Sequence, residues 1–163
     1  MGSTMHVSQT GEYALRAMAG LAMLPPEIPV RAADLAEVTE IPSHYLAKVL
    51  RRLVLANLLI SQKGQGGGFL LTRAKEDISF MDILLAVDAF PSERKCAFGW
   101  KTCSDNSPCP LHSAWSRLND RLSDWANNTT LADVVDFAEL SSELTPLENF
   151  AAEKARDRKS GSG

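Results

Sequence analysis

Apolar residues recur at helical spacing from Glu12 to Leu24 (EYALRAMAGLAML), an Ala-, Leu- and Met-rich stretch halted by Pro25 and Pro26, and this predicts a first helix. Arg31 to Glu40 (RAADLAEVTE) predicts a second, short one. Ile41-Pro42-Ser43 then breaks the pattern, with Ser43 placed to cap a third helix running to about Ala56. In that helix Leu46, Val49, Leu50 and Leu53 share one face, while His44, Tyr45, Lys48, Arg51 and Arg52 fall on the other. Two short helices joined by a tight turn, the second with a basic face, fit a helix-turn-helix.

Leu58 to Gln62 (LLISQ) and Phe69 to Thr72 (FLLT) predict two short strands around KGQGGG, a hairpin with a glycine-rich tip. Such a wing can approach a groove or a phosphate closely, and Lys63 places a charge at its base. The rival reading of GQGGG as a nucleotide-cradling loop is weak, because that loop opens a helix through GK[ST] and here a strand follows. Ser79 to Asp88 predicts a further helix with a capping box from Ser79 and Asp82. Leu111, Trp115, Leu118, Leu122 and Trp125 then follow at spacings of four, three, four and three, a heptad seam that reads as a dimer helix. Docking on its own domain is the other use of such a stripe. Thr130 and Asp133 cap a last helix to Leu140.

The fold class expected is mainly α with a small β-hairpin wing: a winged helix-turn-helix domain plus a long dimerisation helix. The domain spans 5–88, a cysteine-rich loop 89–110, the dimerisation and C-terminal helices 111–140, and a flexible polar tail 141–163. Residues GST before Met5 and KSGSG at the end read as linker-like. Hydrophobic content of 45% with 23% charged residues is ordinary for a soluble globular protein, and no apolar run approaches the roughly 18 residues needed to cross a membrane. With no signal-peptide pattern at the N-terminus, the cytoplasm is the expected compartment.

Charge changes the picture through its distribution. The chain is net −3, yet between Ile41 and Lys75 stand six basic residues (Lys48, Arg51, Arg52, Lys63, Arg73, Lys75) and no Asp or Glu, leaving 11 basic and 20 acidic residues elsewhere. A segregated cationic segment is the footprint of a phosphate-binding surface, although a solvated basic face has the same composition.

All three cysteines lie in KCAFGWKTCSDNSPCPLHSAW, spaced C-x6-C-x5-C with His112 three positions after Cys109. An odd number argues against an intrachain disulfide framework. Three soft thiolate ligands within 14 residues suit zinc or an iron–sulfur cluster rather than magnesium or calcium. Spacing alone does not choose between these, and a catalytic cysteine finds no recognisable nucleophile motif. A DNA-binding regulator, a DNA-binding protein with a purely structural Cys3His zinc site, and a thiol-redox or nucleotide-hydrolysing enzyme are the readings that follow.

With wing, helix-turn-helix and cysteine loop in this order, the chain resembles the IscR/NsrR/RirA family of bacterial winged-helix regulators from about Met5 to Leu140. TGEYALRAM, IPSHYLAKVLRRL, KGQGGGFLLTR, the three-cysteine loop, HSAWSRLNDRL and TTLADVV carry the resemblance. It implies a non-enzymatic, homodimeric regulator of a palindromic operator. DNA affinity would change when an iron–sulfur cluster is gained, lost, oxidised or nitrosylated. Cys96, Cys103 and Cys109 match the family's cluster cysteines. His112 matches the histidine ligand of the IscR branch, whose cluster is 2Fe-2S, whereas Glu12 stands where the NsrR branch has an aspartate reaching the 4Fe-4S cluster of the other subunit. His112 is preferred because it adjoins Cys109; Glu12 is the alternative. Ser43, His44, Tyr45, Lys48, Arg51 and Arg52 would meet the major groove and phosphates, and Lys63, Gly64, Gln65 and Gly66 the minor groove. The chain departs from the family in a first cysteine spacing one residue longer than in IscR. It also has Gln65 where proline is common, Lys63 where arginine is common, and Ala47 where IscR has glutamate.

Overall fold

The computed structural model describes residues 7–90, 96, 97, 99 and 103–140, the last four as backbone only. The tail expected over 141–163 lies outside the described residues, as do Met1–His6 and much of the cysteine loop. In chain order the elements are α1 (Gln9–Ala22), α2 (Ala32–Thr39), α3 (Ser43–Leu55), β1 (Leu59–Gln62), β2 (Gly68–Leu71), a 3-10 turn (Lys75–Asp77), α4 (Phe80–Ala86), α5 (His112–Asn128) and α6 (Leu131–Leu140).

Helix α1 begins three residues before the apolar periodicity does, because Ser8 accepts a hydrogen bond from the Gly11 amide at 3.3 Å and caps it. Its Ala14, Ala17 and Met18 are fully buried, and small side chains let α2, α3, α4 and α6 approach. Leu46, Val49, Leu50 and Leu53 of α3 close the core from the other side. Burial of each such leucine contributes about 1.5–3 kcal/mol. The turn between α2 and α3 is fixed by Glu40, which adopts a left-handed conformation (φ 53°). The amide of buried Ile41 then donates back to the Ala36 carbonyl at 3.2 Å.

Ser43 does not cap α3. It is the first helical residue, and Pro42 occupies the cap position, its carbonyl accepting from the Tyr45 and Leu46 amides at 2.9 and 3.0 Å. The fixed φ of proline sets the chain for helix entry, so no side-chain cap is needed. The capping box on α4 forms as expected, with Asp82 N donating to Ser79 Oγ and Ser79 N to Asp82 Oδ2, both at 3.1 Å.

Strands β1 and β2 pair antiparallel in the register Leu59↔Leu71 to Gln62↔Gly68. Val30, in the connection after α1, adds a third short rung by exchanging backbone hydrogen bonds with Phe69 at 2.8 and 3.1 Å. This rung fastens the wing to the helical core. At the other end, Phe80 N donates to Thr129 O at 2.8 Å and Leu131 N to Ile78 O at 3.0 Å, and buried Leu131 and Val135 bring α6 into the same core. The C-terminal helix is therefore packed within the winged-helix core and not beyond it. Thr130 donates from its backbone and its hydroxyl to Asp133, which holds that carboxyl below its ordinary range and caps α6.

Candidate functional site

Two groups of residues stand out, one on α3 and the wing, the other in the cysteine loop. On α3 the buried leucine face leaves Ser43, His44, Tyr45, Lys48, Arg51 and Arg52 exposed along the opposite side. Lys63, Gly64, Gln65 and Gly66 are exposed at the wing tip. Among the described residues, Lys48, Arg51 and Lys63 have no carboxylate within ion-pair distance. Their charge is thus available to a polyanion.

Arg52 is different. Its guanidinium donates to the Val87 carbonyl at 2.6 Å and lies 3.3 Å from the Asp88 carboxylate, tying α3 to the end of α4. A guanidinium so engaged has less freedom to reach a phosphate than Lys48 or Arg51. Arg73, in the same basic segment, lies 3.8 Å from Asp82.

Aromatic rings accompany the cations, and of these Tyr13 is the one the spacing did not single out. Tyr45 sits 4.3 Å from the His44 ring and 6.0 Å from Tyr13 of α1, with the Lys48 ammonium 5.8 Å from the Tyr45 centroid. A cleft of about 450 Å³ lies between α1 and α3, lined by Thr10, Tyr13, Tyr45, Lys48, Arg51 and Leu55. Tyr13 and Tyr45 are 32 positions apart, so only the packing of α1 on α3 brings them together.

In the cysteine loop Cys96 and Cys109 are buried, Cys103 is half-buried, and all three are free thiols. Burial pushes the Cys109 thiol up, and a hydrogen bond with the Cys96 thiol adds to this, against a lowering contact with the Leu111 backbone. His112 opens α5, its amide donating to the Cys109 carbonyl at 2.9 Å. Its ring Nδ1 lies 3.3 Å from Cys103 Sγ, and its Nε2 lies 2.7 Å from Asp105 Oδ1. Cys103 and His112 thus meet at the start of α5, which Cys109 directly precedes. Among the described residues no three His, Cys, Asp or Glu side chains converge in metal-ligand geometry. The donor set nonetheless has the chemistry of a soft-metal site: reduced thiols, one imidazole, and partial exclusion from water. Glu12, the alternative ligand, is bound at 2.6 Å by Arg16, which also donates to the Thr39 carbonyl. Asp105 was missed in the sequence; an acidic residue two positions after Cys103 and seven before His112 was the available signal.

Along α5, Leu111 and Leu118 are 49% and 44% exposed, and Trp115 and Leu122 are half-buried. Trp125 packs edge-on against Phe80 at 5.4 Å, so the lower end of the stripe serves its own core. Among the described residues, no helix is long and apolar enough to cross a membrane.

The family model described as Rrf2, iron-dependent transcriptional regulator, matches residues 7–137. The chain is 36% identical over 136 residues to the HTH-type transcriptional regulator IscR of Erwinia tasmaniensis, covering 83% of this chain and 82% of that one. Among solved structures, T. potens IscR aligns with a TM-score of 0.69 at 26% identity, covering 85% of this chain and 92% of its own. CymR, the global cysteine regulator of B. subtilis, has the same fold, with a TM-score of 0.69 at 24% identity over 84% of this chain and 98% of that one. The relatives are transcriptional regulators and not enzymes. The chain therefore belongs to the Rrf2 family of transcriptional regulators.

Proposed function

We propose that the protein is a cytoplasmic homodimer that represses transcription from a palindromic operator, its DNA affinity set by an iron–sulfur cluster held by Cys96, Cys103, Cys109 and His112. The observation that carries this reading is the placement of His112 Nδ1 at 3.3 Å from Cys103 Sγ, with the His112 amide donating to the Cys109 carbonyl at 2.9 Å. The ion pair between Glu12 and Arg16 supports His112 over Glu12 as the fourth ligand, because Glu12 would have to give up an existing partner. When bound, the cluster supplies a centre that reacts with nitric oxide or oxidants and is lost when iron is scarce.

The chain's own residues do the rest. Lys48, Arg51 and the wing residues Lys63, Gly64, Gln65 and Gly66 meet phosphates and groove edges, with Ser43, His44 and Tyr45 at the entry of the recognition helix. Leu111, Leu118 and the flanking Trp115 and Leu122 face a second copy, since large apolar side chains left open on one helix are covered most simply by an identical helix.

Anaerobic purification tests the reading. We expect a coloured protein containing iron and sulfide, a changed spectrum in His112→Ala, an unchanged one in Glu12→Ala, and operator binding that differs between cluster-loaded and apo forms. A colourless protein with stoichiometric zinc, equally active on DNA after reduction or nitric oxide treatment, would replace this reading with a structural Cys3His zinc site.

A further inference from the structure

We propose that Asp105 is a positioning residue for His112: its carboxylate fixes the imidazole so that Nδ1 is the atom presented to the metal. This rests on the cluster-binding role proposed above. The His112 ring is held at both nitrogens, by Asp105 Oδ1 on Nε2 at 2.7 Å and by Cys103 Sγ facing Nδ1 at 3.3 Å. An ionised carboxylate can only accept hydrogen bonds, so the proton of the neutral ring resides on Nε2 and the lone pair on Nδ1. The opposite tautomer would set the Nε2 lone pair against carboxylate oxygen at hydrogen-bonding distance. The tautomer is therefore chosen by the protein before any metal arrives.

The surroundings support a device that orients without burying charge. The His112 side chain is 15% exposed, whereas that of Asp105 is 93% exposed. Asp105 sits in a turn closed by Ser107 N donating to Ser104 O at 3.3 Å and Asn106 N to Ser104 Oγ at 3.2 Å. This turn follows Cys103 directly, so one short segment carries a thiol and the residue that aims the imidazole. A carboxylate on the distal nitrogen of a ligating histidine fixes ring orientation and raises ligand basicity, and loss of such a partner commonly weakens metal retention about 10- to 100-fold. The exposure of Asp105 makes its substitution benign for folding.

The test has two arms. In apo protein labelled with 15N-histidine, His112 should show a protonated Nε2 and an unprotonated Nδ1 by NMR, and Asp105→Ala should convert this to a mixture of tautomers. In cluster-loaded protein, Asp105→Ala should speed cluster loss to a chelator about tenfold and raise the reduction potential. Asp105→Glu should restore both, while apo operator affinity and thermal stability stay at wild-type values. A protonated Nδ1 in the wild type, or an Asp105→Ala protein with unchanged tautomer and cluster lifetime, overturns the proposal. A wild type that assembles no cluster overturns the ligand role together with the functional reading. The apo tautomer then still reports separately whether Asp105 orients the ring.

Discussion

Replacing Gly68 by alanine should loosen the wing from the core, and the structure sets the size of the effect. A Cβ at Gly68 would lie 2.5 Å from the carbonyl carbon and oxygen of Val30 and 2.8 Å from its nitrogen, all backbone atoms of a residue that is 4% exposed. Backbone cannot step aside as a side-chain tip can, so relief requires β2 to move off Val30 by most of an ångström. That movement breaks the pair of hydrogen bonds, Phe69 N to Val30 O at 2.8 Å and Val30 N to Phe69 O at 3.1 Å. Each net bond is worth about 1 kcal/mol, and leaving its groups poorly satisfied costs more, so the substitution should destabilise by about 2–4 kcal/mol. For a chain of this length each kcal/mol shifts Tm by roughly 3 °C, giving a fall of about 6–12 °C in a thermal scan. Gly66→Ala is the internal control: nothing lies within 4 Å of its Cβ, and only its left-handed conformation (φ 78°) is penalised, by about 1 kcal/mol. Gly68→Ala should also weaken operator binding, since the wing loses its anchor. A Gly68→Ala protein melting within about 1 °C of wild type, or one more stable than Gly66→Ala, would refute the steric account of the wing.

Other outcomes follow from the exposed faces. Lys48→Ala and Arg51→Ala should each weaken binding to all DNA sequences and reduce the slope of log affinity against log salt by about 1, measured by fluorescence anisotropy across a potassium chloride series; unchanged slopes would remove α3 from the phosphate contacts. Arg52→Ala should leave that slope unchanged and cost about 1 kcal/mol in urea unfolding, a figure discounted because its side chain is 46% exposed. Leu118→Glu should yield monomers in sedimentation velocity with little change in far-UV circular dichroism, because Leu118 is 44% exposed within one protomer; a persisting dimer would place the interface elsewhere.

The helices and the hairpin were legible because each announces itself locally, by period, by proline stops, or by a capping box such as Ser79 with Asp82. What was not legible depends on residues far apart in sequence. The rung from Val30 to Phe69 is one residue long and leaves no periodicity, although it anchors the wing. Arg52 read as one more cation on a basic face, and only the folded chain shows its partner 35 positions away. The heptad from Leu111 to Trp125 was visible as a stripe, but a stripe does not name what covers it, and Trp125 turns out to pack on Phe80. At the cysteine loop the ligand types and their spacing were readable, whereas the pairing of His112 with Asp105 depends on how the turn after Cys103 folds back.

Helix α4 packs on α3 and leads into the cysteine loop. Its C-terminal end leads into the cysteine loop through Asp88, held in a left-handed conformation (φ 54°), and Ala89, which packs so closely on α1 that a Cβ added at Gly11 would overlap its own at 2.7 Å. Its N-terminal end carries Phe80 against Trp125 of α5, the helix that His112 begins. The start of the loop thus adjoins one end of this short helix, and α5, which follows the loop, packs on the other end through Trp125. Helix α4 is in turn tied to α3 by the donation from Arg52 to the Val87 carbonyl. Under the proposed function, a change in how the loop's ligands are held displaces α4 only as far as the two arrangements differ in free energy. Couplings that change affinity 5- to 150-fold need about 1–3 kcal/mol. The contact made by Arg52, whose side chain is 46% exposed, is worth about 1 kcal/mol. Making or breaking that one contact therefore supplies an effect at the lower end of that range, about fivefold in affinity.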